Sequence, residues 1–157
     1  MEKSEHTGSD LTMRLIEIKN PQGIELLVEF IIGEPDYTRE QIAFDTMRWL
    51  MESPDDTCVI SLWDNENNLM GFGISFIPSG HKHLFISQAW MDPETAQTKW
   101  PELMLDHLKT FARLRGLDEL RMETKRDARA FARKWGFEPF STTMTFDLTK
   151  ENKNEPD

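Results

Sequence analysis

The side chains able to do chemistry in this sequence are few and scattered. His81 and His83 stand one residue apart, a spacing that puts both imidazoles on one face of a strand and invites a metal reading. Zinc takes three or four protein ligands, and no cysteine or third ligand lies near the pair at a recognisable spacing, so the expectation is no metal site. Cys58 falls inside an apolar run and reads as a small buried hydrophobe before a nucleophile. His107, next to Asp106, is expected to face solvent. Glu123 and Gln88 fall in stretches with strand character. A carboxylate such as Glu123 could take a proton from an amine, directly or through water, although strand carboxylates mostly serve solubility. Gln88 fits a structural hydrogen-bonding group better. Lys125, Arg126, Arg129, Arg133 and Lys134 cluster within ten residues and read as a solvated helix face before a binding patch. No Gly-x-Ser-x-Gly or phosphate-loop sequence occurs.

These residues are positioned by elements that the hydrophobic pattern outlines. Leu11, Met13 and Leu15 alternate, then Ile16 and Ile18 continue one step out of phase. A strand with a bulge near Leu15 and Ile16, or one covered on both faces, accounts for the slip. Asn20-Pro21 supplies a cap and a first-turn proline, and Ile24, Leu27, Phe30 and Ile31 predict a helix that Gly33-Glu34-Pro35 ends. Thr38 and Gln41 form a capping box opening a second helix, with Ala43, Met47, Leu50 and Met51 on its apolar face. Three strands follow over 58–63, 69–77 and 83–91, joined by the turn signals Asp64-Asn65-Glu66-Asn67-Asn68 and Pro78-Ser79-Gly80. Loops that short predict an antiparallel meander. A helix opens at Trp100-Pro101 with Met104, Leu105, Leu108, Phe111 and Ala112 inward, and stops at Arg115-Gly116. A strand over 119–124, a helix between Asp127 and Gly136 and an alternating strand over 140–148 complete the chain. The order β-α-α-β-β-β-α-β-α-β predicts an α/β sandwich with a mixed sheet. The strand–helix–strand passage over 83–124 has the length of a right-handed parallel crossover.

Composition bounds the function. A chain of 157 residues suits one domain, here 11–149, with flexible polar tails at 1–10 and 150–157. No apolar run approaches the roughly 20 residues that cross a bilayer, and the first ten residues lack the apolar stretch of a secretory signal. One cysteine excludes an internal disulfide and fits a reducing, cytoplasmic setting. A formal net charge of −10 disfavours nucleic acid and anionic membranes and leans toward a cationic substrate or partner.

Two stretches carry a family resemblance. Lys125-Arg126-Asp127-Ala128-Arg129-Ala130-Phe131-Ala132-Arg133-Lys134-Trp135-Gly136-Phe137-Glu138 resembles the last-helix motif of GNAT acetyltransferases, Asn-x-x-Ala-x-x-Phe/Leu-Tyr-x-x-x-Gly-Phe, matching at Ala128, Phe131, Gly136 and Phe137. Ile86-Ser87-Gln88-Ala89-Trp90-Met91-Asp92-Pro93-Glu94 is similar to that family's fourth strand and the turn after it. The resemblance covers residues 11–149 and implies the GNAT fold, a three-layer sandwich on a mixed sheet.

In that family the fourth and fifth strands splay, and the opened edge offers backbone groups to the pantetheine arm of acetyl-CoA. The resemblance puts those groups on Ala89, Trp90 and Met91, and puts Glu123 and Gln88 beside the cleft. The next loop holds the pyrophosphate through bare backbone and glycine; here it implies Gln97, Thr98 and Lys99. This loop contains no glycine, Pro101 removes a donor, and Lys99 offers a point charge instead. Where many members carry a tyrosine acid, this chain has Ala132, which has no proton to give, and Lys125 replaces the motif's Asn. Trp90 and Trp100 are expected to line the cleft and to fill it, or else to form a docking surface. Two readings stand together: an acetyl-CoA-dependent N-acyltransferase acting on a small-molecule or protein amine, and a non-catalytic binding or structural member of the fold, from a virus or mobile element, that self-associates or binds a protein partner.

Overall fold

The meander is fixed by its turns. Asp64 accepts hydrogen bonds at its carboxylate from the backbone N–H of Glu66 and of Asn68 (2.9 and 2.8 Å) and from the Asn68 side chain (3.0 Å), and Asn67 takes the left-handed conformation that Asn tolerates. That closed loop brings the strands on either side into register. In the computed structural model, which describes residues 12–122, the strands are β1 (Arg14–Ile18), β2 (Thr57–Trp63), β3 (Leu69–Phe76), β4 (His83–Met91) and β5 (Glu119–Met122). They form one sheet in the order β1-β2-β3-β4-β5; the first four are antiparallel neighbours, and β5 runs parallel to β4. The long helices are α1 (Arg39–Glu52) and α2 (Trp100–Leu114), and α2 is the crossover between the two parallel strands.

The helices cover opposite faces because strand side chains alternate. Ile18, Val59, Phe72 and Ile74 meet Ile42, Ala43 and Leu50 of α1, with Ile24, Leu27 and Ile31 sealing the same core. Burying each such side chain contributes about 1.5–3 kcal/mol before entropy is charged. On the other face, Cys58 lies with the inward stripe of α2, in which Met104, Leu108, Phe111 and Ala112 are buried. The result is a three-layer α/β sandwich on a mixed sheet.

Capping follows the sequence closely. Gln41 N–H donates to Thr38 Oγ1 (3.3 Å) while Thr38 N–H donates to the Gln41 side-chain oxygen (2.9 Å), closing the box that starts α1. Gly116 ends α2 at φ 71°, a conformation open to a residue without Cβ.

The segment expected to be the first helix is different. It forms two 3-10 turns, Pro21–Leu26 and Val28–Phe30, with Asn20 accepting from Gly23 N–H (3.0 Å) as the cap. The bonds Leu27 N–H to Ile24 O (2.9 Å) and Phe30 N–H to Leu27 O (3.0 Å) are those of a three-residue repeat. Ile24, Leu27 and Phe30 are themselves three apart, so the tighter turn stacks them on one line where an α-helix would spread them. No bulge occurs in β1: its register with β2 is unbroken from Arg14↔Trp63 to Ile18↔Val59. The phase slip belongs to an edge strand with both faces partly covered, Leu15 and Glu17 half-buried and Ile18 buried. The last helix and last strand, with Ala128, Phe131, Ala132, Gly136, Phe137 and the basic cluster, lie outside the described residues, as do both tails.

Candidate functional site

A single displaced residue shapes the centre of the sheet. Ile74 pairs with Gln88 and Ser75 with Ile86, so Ser87 is an extra residue in β4. Such a bulge bends its strand and sharpens the local twist. It follows Ile86, which pairs with Met122 in the parallel ladder between β4 and β5. Beyond it, Gln88 to Met91 pair with Ile74 to Gly71 of β3. Ala89 is exposed although it lies inside a five-stranded sheet. Its partner across β3 is Gly73, so the pair raises no more than one methyl group over that spot.

Past Met91 the chain turns at once toward α2. The Asp92 carboxylate accepts from Glu94 N–H, Thr95 N–H and Thr95 Oγ1 (3.2, 3.2 and 3.3 Å), which locks the 3-10 turn Thr95–Gln97. Thr98 Oγ1 donates to Thr95 O (2.6 Å) and accepts from Trp100 N–H (3.2 Å). Gln97 and Lys99 are exposed and Thr98 is half-buried. This arrangement decides how an anion is met at the start of α2. Helix N-termini attract phosphate through free N–H groups. Here Pro101 has none to give, and the Trp100 N–H is already engaged by Thr98. The Lys99 ammonium remains as a point charge at the cap position.

Ala89, Trp90, Met91, Gln97, Thr98 and Lys99 therefore lie along one continuous path from the bent end of β4 to the start of α2. Their side chains divide. The Trp90 ring packs on Phe30 (centroids 4.8 Å apart) and Phe72 (6.4 Å), in the α1-side core. Trp100 is half-buried at the start of α2. Gln88 is half-buried on the same face as Trp90; Glu123 lies outside the described residues.

The remaining titratable groups sit elsewhere. His81 and His83 face each other edge to face, with centroids 5.1 Å apart. His83 is 7% exposed, and burial, then the Arg121 guanidinium, holds its pKa below 6.5. Burial pushes the Cys58 thiol up to about 12, with the Glu17 carboxylate adding to the effect, so the free thiol is not a nucleophile at neutral pH. Tyr37 donates to the Asp45 carboxylate, and burial followed by that bond raises its phenol to about 12. The depression beside it, about 350 Å³, is lined by Tyr37, Glu40, Gln41, Phe44 and Asp45.

His107 does not face solvent freely, as its neighbour Asp106 suggests. Its Nε2 lies 3.7 Å from Glu17 Oε2 on β1. The signal was present in the sequence: His107 falls three residues after Met104 and four before Phe111, on the stripe of α2 that meets the sheet.

Residues 24–137 match the model of the acetyltransferase (GNAT) family. A comparison with curated proteins returned no match. Among solved structures, the chain superposes on a predicted acetyltransferase with acetyl-CoA from Clostridium acetobutylicum (TM-score 0.70, 15% identity, covering 88% of this chain and 97% of that one). It also superposes on the aminoglycoside N-acetyltransferase AAC(6')-Iy in complex with CoA (0.68, 12%, 86% and 93%). A third match is glucosamine-6-phosphate N-acetyltransferase from Arabidopsis thaliana (0.62, 15%, 87% and 99%). At these identities the superpositions establish a shared fold.

Proposed function

This chain belongs to the acetyltransferase (GNAT) family, and on that premise we propose that it binds acetyl-CoA along the outer edge of β4 and transfers the acetyl group to a primary amine on a small cationic molecule. The observation that carries the reading is the bulge at Ser87, with the exposed Ala89 that follows it. The fit is uneven. An extended amide-bearing arm can pair with strand backbone at Ala89, Trp90 and Met91, where Ala89 is exposed and carries only a methyl group. The diphosphate end meets no glycine cradle, and Gln97, Thr98 and Lys99 would hold it through side chains. When bound, acetyl-CoA supplies an activated thioester carbonyl.

The residues of the chain then do ordinary work. Strand N–H groups near Ala89 polarise a carbonyl placed against them. Glu123, which follows β5 in the chain, takes the proton of the attacking amine, directly or through water. Between Asn20 and Thr38 stand Glu25, Glu29, Glu34 and Asp36 with no lysine or arginine, a local field that draws an ammonium-bearing acceptor. The aminoglycoside N-acetyltransferase that shares the fold acts on an acceptor of that chemistry. Incubating the protein with acetyl-CoA and a panel of polyamines, amino sugars and aminoglycosides, and reading the free thiol of CoA with a thiol dye, tests the proposal. Amine-dependent thiol release is expected; release no faster than in buffer with every amine would overturn transfer.

One observation favours a second reading. With Ala132 where the family's motif carries a tyrosine acid, the chain is also suited to holding a ligand without turnover. Saturable acetyl-CoA binding with no thiol release would select it.

A further inference from the structure

We propose that Glu17, Cys58 and His107 form a binding site for one divalent transition-metal ion of borderline softness, in the first place Zn²⁺, clamping α2 to β1 and β2. One ligand atom from each, the carboxylate oxygen, the sulfur and a ring nitrogen, all lie within 4.8 Å of one another. The sheet makes this convergence. Glu17 stands opposite Ile60 across β1 and β2, and Cys58, two residues along, shares that face. His107 comes down on the same spot from the inward stripe of α2, its Nε2 3.7 Å from Glu17 Oε2.

The donor set is selective. Imidazole nitrogen, thiolate sulfur and carboxylate oxygen are the three ligand types that zinc takes, and a hard cation such as Mg²⁺ has little use for the sulfur or the ring. Tetrahedral coordination at ordinary zinc bond lengths needs ligand atoms about 3.3–3.6 Å apart. The carboxylate and imidazole are already near that spacing, so closing the site asks roughly an ångström of the remaining pairs. Access is graded as a site requires: Cys58 is 0% exposed and forms the floor, while the Glu17 and His107 side chains are 27% and 35% exposed and open a route for the ion. The fourth position is left for water. On binding, the thiol proton leaves to solvent and a sulfur–metal bond takes its place. Among the described residues this is the one grouping of its kind. Sequence spacing cannot reveal it, because its members come from three elements far apart in the chain. The inference does not depend on acetyl transfer.

Cobalt reports the site directly, because a cysteine thiolate bound to Co²⁺ gives a near-ultraviolet charge-transfer band and tetrahedral Co²⁺ gives strong visible bands. Full-length protein without an affinity tag is titrated with CoCl₂, then back-titrated with ZnCl₂. The expected result is both sets of bands, saturating at one ion per chain and lost to zinc. Cys58→Ser removes the near-ultraviolet band. Glu17→Gln and His107→Ala each weaken Co²⁺ by about tenfold or more, a loss that even partners behind the ligands can produce. The His81→Ala, His83→Ala double variant keeps the bands. Absence of a thiolate band in the wild-type protein would overturn the proposal, leaving an ion pair over a buried cysteine. So would bands that persist in folded Glu17→Gln and His107→Ala proteins, or that vanish with His81 and His83.

Discussion

At the scale of single residues, burial decides which groups can act. His83 shows it through pH. Its folded pKa lies below 6.5, so as pH falls the unfolded chain takes up the proton first. Its contribution is complete above about pH 6.5 and is lost as pH drops through that value toward the folded pKa. Urea midpoints should fall between about pH 7.5 and about pH 5.5, and fall less in His83→Gln; an unchanged difference between the two pH values would contradict the assignment. Trp90 is held by Phe30 and Phe72, so Trp90→Ala should cost about 3 kcal/mol of stability by denaturant unfolding. Glu123→Gln should lower kcat roughly 10²-fold with KM for acetyl-CoA little changed. Some residue-scale facts were legible beforehand. Thr38 and Gln41 declare their cap by type and spacing alone, and Cys58 declares its burial by its apolar neighbours. His107, expected to face solvent from its place beside Asp106, keeps 35% exposure, while its position on the Met104–Phe111 stripe also brings it to Glu17. What a helix face covers is a tertiary fact.

Elements set the geometry that those residues occupy. The bulge at Ser87 shifts the register of β4 against β3 by one residue, and Ala89 beyond it is exposed, where the proposed acetyl-CoA arm would lie. Ala89→Phe adds bulk at an exposed position, so the melting temperature should hold while acetyl-CoA affinity falls at least about tenfold. A matching loss of stability would show that the position is structural. Thr38→Ala removes one half of the capping box and should cost about 1 kcal/mol, with acetyl-CoA affinity unaltered. The strands were readable because Asp64 to Asn68 and Pro78 to Gly80 are unambiguous turn chemistry. The 3-10 turns over 21–30 were not, since apolar residues at a spacing of three satisfy both helix types and only the carbonyl partners tell them apart. The bulge was equally invisible: no residue type marks Ser87 as the one left unpaired.

At the scale of the molecule, short loops force antiparallel neighbours and a long crossover forces a parallel pair, so element order alone carried the mixed sheet. It could not carry the chemistry, because the fold leaves open whether the cofactor path is used. The loop before α2 sharpens that question, with a lysine and an engaged N–H where a bare backbone would hold phosphate. If side chains replace the cradle, the net charge of −10 works against a polyanionic ligand, and affinity should depend on Lys99. The most direct test is thermal unfolding of the full chain with rising acetyl-CoA. At about 100 times Kd, binding to the native state adds about 2.7 kcal/mol, a rise of roughly 5–10 °C for a protein of this size. A saturable rise that Ala89→Phe abolishes is the predicted result. A melting temperature unmoved by millimolar acetyl-CoA, or moved equally in Ala89→Phe, would contradict it.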